Sequence, residues 1–432
     1  MDVRLTRRSL LAAGAVALGL PASAWGATAT ADRDRVRLQL RLFAPTGPYA
    51  IGTVQLHLVD HSRRDPWTGR PRELMVSVWY PAANAGRFPS APWMPQAAGA
   101  LFLDQLINSL PTAGPNTTPP GSTPPNIPLP GVRLPVTQAR QGAPVDLSAR
   151  KYPVVLYQPG FGDVRELGTG LVSDLASRGY TVVTMDDTYE AAEVAFPGGR
   201  IVTPRTNQSY VDWVRVADTR FVLDELASLA SGGNPDAEHR TLPNGLSAAL
   251  DLKNVGMFGH SLGGASAAKA MAADRRIGAG INLDGSMFLA NPVLHQDIRR
   301  LGAQLARQLG GRAFMIMTHQ GHDVHDDPSL AGFWSNLRGW RIFLTMRNAQ
   351  HYTYTDLEEL VSQLLSAGID PHRLTRERVA QVIGTVQPSR AVAAERAYIA
   401  AFFDLHLRDL HAASKLLAGP TPNYPEIQFL GR

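Results

Sequence analysis

The chain has 432 residues, a formal net charge of +5, no cysteine, 44% hydrophobic and 18% charged residues. That mix suits a soluble globular protein with a sizeable core, in one large domain or two ordinary ones. It excludes disulfides, thiolate metal sites and a cysteine nucleophile, and without a dense Lys/Arg block it offers no nucleic-acid surface.

Residues 1–27 read as an export signal. Paired arginines in Thr6-Arg7-Arg8-Ser9-Leu10-Leu11 precede an apolar run from Leu10 to Leu20, and Ala22-Ser23-Ala24 offers a small-x-small cleavage site. The run is too short to span a bilayer, so a removed signal is expected, by the bacterial twin-arginine (Tat) route. An ordinary Sec signal is the alternative. Either route makes the mature chain, from near Trp25, a secreted protein.

The remaining residues, 28–432, then form one domain with two interruptions. Strand patterns occupy Val36 to Phe43, Gly52 to Val59 and Leu74 to Trp79, with a turn cluster at Asp65 to Pro71. Residues 88–145 are proline-rich, with Pro119-Pro120 and Pro124-Pro125, and hold one amphipathic helix, Gln96 to Leu110. This is an insertion covering a cleft, or a packed loop with no part in catalysis. From Tyr152 strands and helices alternate. Strands are expected at Val154 to Gln158, Thr181 to Met185, Asn254 to Phe258, Gly280 to Leu283, Phe314 to Met317 and Ile342 to Met346. Helices are expected at Val164 to Arg178, Tyr210 to Ala230, Leu262 to Ala273 and Ala391 to Leu407. A helical excursion over Asp356 to Val386 precedes the last of them. Short apolar strands separated by helices imply a mostly parallel central sheet covered on both faces, an α/β class.

Gly259-His260-Ser261-Leu262-Gly263-Gly264 fits G-x-S-x-G, with a strand leading in and a small-residue helix leading out. That is the nucleophile elbow of the α/β-hydrolase fold. Gly259 and Gly263 must be small because the turn is tight, and the strain lifts the Ser261 hydroxyl to the open edge of the sheet. An oxyanion hole needs two backbone N–H donors. Leu262 supplies one. Phe161, in the loop Gln158-Pro159-Gly160-Phe161-Gly162, is the expected second. The general base must follow the last strand, which selects His351. The acid is open between Asp284, at the end of one strand, and Asp323, Asp326 and Asp327, after the next. The same loop carries His319, His322 and His325. They could ligate a metal, but a polar rim to the site is the preferred reading, with no metal and no cofactor expected.

Several stretches together resemble the platelet-activating factor acetylhydrolase family of α/β-hydrolases, especially its secreted actinobacterial esterases and lipases. They are Gly47-Pro48-Tyr49-Ala50-Ile51-Gly52, Val-Ser-Val-Trp-Tyr-Pro at 76–81, the elbow, and Ile281-Asn282-Leu283-Asp284-Gly285. The likeness spans most of the mature chain outside the insertion and the excursion. It implies a Ser261, Asp284, His351 triad and hydrolysis of short or oxidised acyl esters, including phospholipid acetyl groups. The family's His-Gly-x-Gly stands here as Pro159-Gly160-Phe161-Gly162. The expected partner is a small-molecule or lipid ester, with transient contact with lipid surfaces, and no protein partner is inferred. Rival readings are a polyester hydrolase, a thioesterase or a peptidase on this fold, and a binding protein on a dead hydrolase scaffold.

Overall fold

A computed structural model describes residues 38–109, 129, 131–205, 211–289 and 297–431. The expected export signal, both proline pairs, Leu110 and Tyr210 lie outside these residues.

The strands are β1 (Leu38–Gln39), β2 (Ile51–Arg64), β3 (Pro71–Pro81), β4 (Ser90–Pro92), β5 (Val132–Arg133), β6 (Val136–Gln141), β7 (Tyr152–Gln158), β8 (Thr181–Met185), β9 (Val194–Ala195), β10 (Ile201–Val202), β11 (Leu250–His260), β12 (Ile277–Leu283), β13 (Ala313–His319), β14 (Arg341–Met346) and β15 (Ile427–Gly431). The helices are α1 (Gln96–Ser109), α2 (Thr169–Ser177), α3 (Val211–Ala230), α4 (Leu246–Ala249), α5 (Leu262–Ala273), α6 (Ile298–Gln308), α7 (Pro328–Asn336), α8 (Leu357–Ser366), α9 (Arg376–Ile383) and α10 (Pro388–Arg408). Among the described residues, eleven strands form one sheet in the order β15-β14-β13-β12-β11-β7-β8-β3-β2-β6-β4. Neighbours from β14 to β8 are parallel, and β15 and the β2–β3 hairpin are antiparallel.

The central strands carry no alternation because both faces are covered: β7 and β8 are buried at every residue. Helices α3, α5, α6 and α7 cover one face through Leu223, Met271, Leu305 and Phe333. Helices α2 and α10 cover the other through Leu175, Ile399 and Phe403. A third apolar cluster lies apart from the sheet and joins α1 to the excursion helices α8 and α9, with Trp93, Phe102, Leu106, Leu357 and Leu360 among its members. The Trp93 indole N–H also donates to Asp356 at the foot of α8, at 2.8 Å. Insertion and excursion therefore pack on each other.

Several elements differ from expectation. Of the strand pattern from Val36 to Phe43, only two described residues pair, with β5. The Arg41 N–H bonds to the Gln363 side chain at 3.0 Å and the Phe43 N–H to Glu359, so the backbone finds its partners on α8 rather than on a neighbouring strand. The segment from Val164 opens as a 3₁₀ turn at Arg165–Gly168 before becoming α2. Helices α6 and α7 were not anticipated, although α6 is strongly amphipathic.

Candidate active site

Ser261 sits where β11 turns into α5, in the left-handed region at φ 54°, ψ −122°. A Cβ on Gly263 would overlap the carbonyl oxygens of Gln158 and Pro159, and one on Gly259 would overlap the Gly263 backbone. Only glycine lets α5 start this close to β7. The turn is locked at the sheet edge: the Ser261 N–H donates to Leu283 O at 2.7 Å, and the Asp284 N–H to Met317 O at 2.8 Å. Each strand end is thus pinned to the next. Asp284 is itself left-handed, at φ 57°.

His351 begins a 3₁₀ turn after β14, capped by Gln350 and Thr353. Thr353 donates to Ile383 O at 2.7 Å, and Asn348 O accepts from Thr385 and Val386, so the end of the excursion holds the turn in place. Its Nδ1 lies 2.6 Å from Asp284 Oδ2 and its Nε2 3.0 Å from Ser261 Oγ. With the Nδ1 proton on the carboxylate side, Nε2 is left as an acceptor facing the serine hydroxyl. Among the described residues, Asp284 is the carboxylate bonded to His351. Of the alternatives, Asp327 caps α7, accepting from Ser329 and Leu330 N–H groups, and Asp323 accepts from the His325 N–H. His325 is exposed.

Sequence reasoning missed what surrounds Asp284. His319 donates to it from its backbone N–H at 2.9 Å and from Nδ1 at 2.8 Å, and His322 Nδ1 lies 3.0 Å away. Three imidazoles share one buried carboxylate. Burial opposes its charge, but these hydrogen bonds outweigh burial and hold the Asp284 carboxyl well below its ordinary range. The far side of His322 faces Asp327, at 3.4 Å. Burial disfavours a charged His322, yet hydrogen bonds to two carboxylates push it up to about 9, so it is an imidazolium at neutral pH. The register could have signalled this: Leu283 pairs with Met317, which sets His319 beside Asp284. Asp284, His319 and His322 bring three potential ligand atoms together. They do so as hydrogen-bond partners, and a cation there would have to displace ring protons and compete with His351 for Asp284.

His260, inside the elbow motif, was also missed. It is fully buried, its Nε2 donates to His351 O at 2.9 Å, and its ring packs 4.6 Å from that of His351. Burial, with His260 alongside, lowers His351 below its ordinary 6.5 despite the pull of Asp284.

The loop after β7 is fixed by Arg215 of α3, which donates to Pro159 O at 2.7 Å and Gly160 O at 3.0 Å and pairs with Glu190 and Asp187. This contact had no sequence signal. In a trans peptide the C=O and N–H point opposite ways, and no peptide bond described is cis. With Gly160 C=O turned onto Arg215, the Phe161 N–H of the same peptide unit points away from it. Leu262 N–H lies in the first turn of α5, without an intrahelical acceptor and at the positive end of the helix. Beside this loop lies a cavity of about 230 Å³, walled by Phe161 and Tyr352 and by Phe102 and Leu106 of α1. A larger one, of about 400 Å³, lies along β2 and β3, and neither cavity is lined by Ser261, Asp284 or His351. A hydroxyl activated by an oriented imidazole, with N–H donors nearby, can perform acyl transfer.

Comparison with known proteins gives three concordant likenesses. The family described as platelet-activating factor acetylhydrolase, isoform II, matches residues 36–220 and 233–369. A protein of Arthroderma benhamiae named "Probable 1-alkyl-2-acetylglycerophosphocholine esterase" is 26% identical over 406 residues, 89% of this chain and 92% of the relative. The platelet-activating factor acetylhydrolase of Cavia porcellus is 21% identical over 249 residues, about half of each chain (51% and 52%). Among solved structures, a ferulic acid esterase from Streptomyces cinnamoneus superposes with a TM-score of 0.67 at 33% identity, over 91% of this chain and 99% of that one.

Proposed function

Because the chain belongs to the platelet-activating factor acetylhydrolase, isoform II, family, we propose that it is a serine carboxylic-ester hydrolase working through an acyl-enzyme. The observation that carries this reading is the Asp284–His351–Ser261 relay, with hydrogen bonds of 2.6 and 3.0 Å, set on a strained elbow. His351 Nε2 takes the Ser261 proton as the oxygen attacks the ester carbonyl. The Leu262 and Phe161 N–H groups hold the oxyanion. His351 returns the proton to the departing alcohol, and water repeats the sequence to release the acid. Asp284 keeps the proton on Nδ1 and balances the imidazolium. Every role is filled by side chains and backbone of this chain. The cavity beside Phe161 has room for a short acyl chain or a single ring, which favours compact esters, phospholipid acetyl groups and aromatic acids among them.

The paired arginines and apolar run support a secreted enzyme exported by the twin-arginine route. One experiment tests both parts. Culture fluid of a bacterium producing the full chain should contain a protein starting near Trp25 that a fluorophosphonate probe labels, and Ser261→Ala should abolish the labelling. Labelling of the Ala variant would refute the nucleophile. Undiminished secretion from a host lacking the twin-arginine translocase would refute the route.

A pH profile follows from the histidines. His351 must be neutral to accept the proton, and its lowered pKa puts the acidic limb of kcat/KM below pH 6.5. The groups around it are Asp284, His260, Tyr352 and, behind His260, Asp163. His322→Asn removes a cation from Asp284, leaving its charge undivided toward His351 and favouring the imidazolium. The limb should therefore move up by about half to one pH unit. A limb that stays put or moves down would show that His322 does not share the charge of Asp284.

A further inference from the structure

We propose that Glu193 is a specificity-determining residue: it is the polar wall of the cavity beside the oxyanion loop and selects esters whose bound group carries a hydroxyl. The proposal rests on the ester-hydrolase reading above. Glu193 lies in the segment after β8, at the carboxyl edge of the sheet, where α/β folds bind ligands. The segment is stitched to the oxyanion loop by the Ala192 N–H, which donates to Gly162 O at 2.9 Å. Glu193 lines the cavity, is 2% exposed, and neither of its carboxyl oxygens has a hydrogen-bond partner among the described residues.

The rest of the cavity makes that carboxyl conspicuous. Phe102, Leu106, Leu167 and Leu357 supply an apolar lining, and Gln105, Asp163 and the Tyr352 phenol are the other polar contributors. Burial, with Glu166 nearby, pushes Glu193 up to about 8, so at neutral pH it is an uncharged acid. An uncharged carboxyl offers one O–H donor and one carbonyl acceptor. A hydroxyl satisfies both at once, accepting from the first and donating to the second. A carbonyl on the ligand would leave the acceptor unmet, and an apolar group would leave both unmet. A ligand cation would require the acid to ionise in an apolar cavity.

For the fold alone, leucine would serve better here, because an unpartnered buried carboxyl destabilises and its apolar replacement does not. A polar group kept against stability at the edge of a site points to use in that site.

The test compares two ester pairs at neutral pH. One pair places the hydroxyl on the acyl side, methyl cinnamate and methyl para-hydroxycinnamate. The other places it on the alcohol side, n-butyl acetate and its terminally hydroxylated counterpart. In at least one pair, Glu193→Leu should lower the hydroxylated-to-plain ratio of kcat/KM about ten- to hundred-fold. Hydrolysis of the plain ester and thermal stability should be unchanged or raised. Glu193→Gln, which keeps a donor and an acceptor, should hold the ratio within a few-fold of wild type. An unchanged ratio in both pairs overturns the proposal and leaves the ester-hydrolase reading intact. Loss of the plain ester with the hydroxylated one overturns it too, since Glu193 would then be structural. Wild type inert toward all four esters would overturn both readings.

Discussion

Ser261→Ala should lower ester hydrolysis by about a million-fold while the protein stays folded. The size follows from the proposed mechanism: without the hydroxyl, the base and the acid have nothing to act on, so one deletion costs as much as losing all three. The fold should survive because Ser261 is held by its backbone. Its N–H bonds to Leu283 O, and its O accepts from the Gly264 N–H at 3.0 Å, neither of which needs the side chain. Alanine inherits the left-handed φ of 54° without easing it. Circular dichroism and thermal unfolding should therefore match wild type while hydrolysis of p-nitrophenyl acetate collapses. Activity above about a thousandth of wild type, in protein free of host esterase, would remove Ser261 from the mechanism.

Asp284→Asn should cost roughly ten-thousand-fold, and the geometry says why. The carboxylate accepts from His319, His322 and His351 at once. An amide can accept with only one of its two ends. Its oxygen is claimed on the side of His319 and His322, where a backbone N–H and two rings converge. The amide N–H₂ is then left facing His351 Nδ1. That ring must move its proton to Nε2, which becomes a donor toward Ser261 and can no longer take its hydrogen. Asp323→Asn, Asp326→Asn and Asp327→Asn should cost about ten-fold or less, because none of these carboxylates bonds to His351. Steady-state kinetics on the four variants decides the matter. Near-normal rates for Asp284→Asn, with a collapse at one of the loop positions, would transfer the role of acid to that residue.

Much of this arrangement was legible because it depends on local pattern. Gly259, Ser261 and Gly263 are diagnostic in sequence, since the turn tolerates no side chain at either glycine. The buried strands Tyr152–Gln158 and Thr181–Met185 show as uninterrupted apolar runs. His351 was found by chain order alone. What escaped was long-range. Arg215 reads as one more charge on a helix, and only the packing of α3 under the loop after β7 makes it the group that turns the Gly160 carbonyl. His319 and His322 read as a polar rim, because their tie to Asp284 depends on β12 and β13 being neighbours in register. The pattern at Val36 to Phe43 misled for the same reason: alternation predicts an extended chain, but the partner of that backbone is a helix 322 residues away in sequence, through Gln363.

The placement of the cavity wall has an evolutionary consequence. Ser261 and Asp284 directly follow β11 and β12, and His351 opens the turn after β14, all at one edge of the sheet. Phe102 and Leu106 come from the insertion helix, and Leu357 from the excursion helix, which pack on each other in a cluster of their own. Drift in α1 can reshape what is admitted without moving the 2.6 and 3.0 Å hydrogen bonds that join Asp284, His351 and Ser261. Selection on substrate range and selection on turnover then act on separate sets of positions. A descendant could acquire a new ester by changes confined to the wall, with its chemistry intact at every intermediate step.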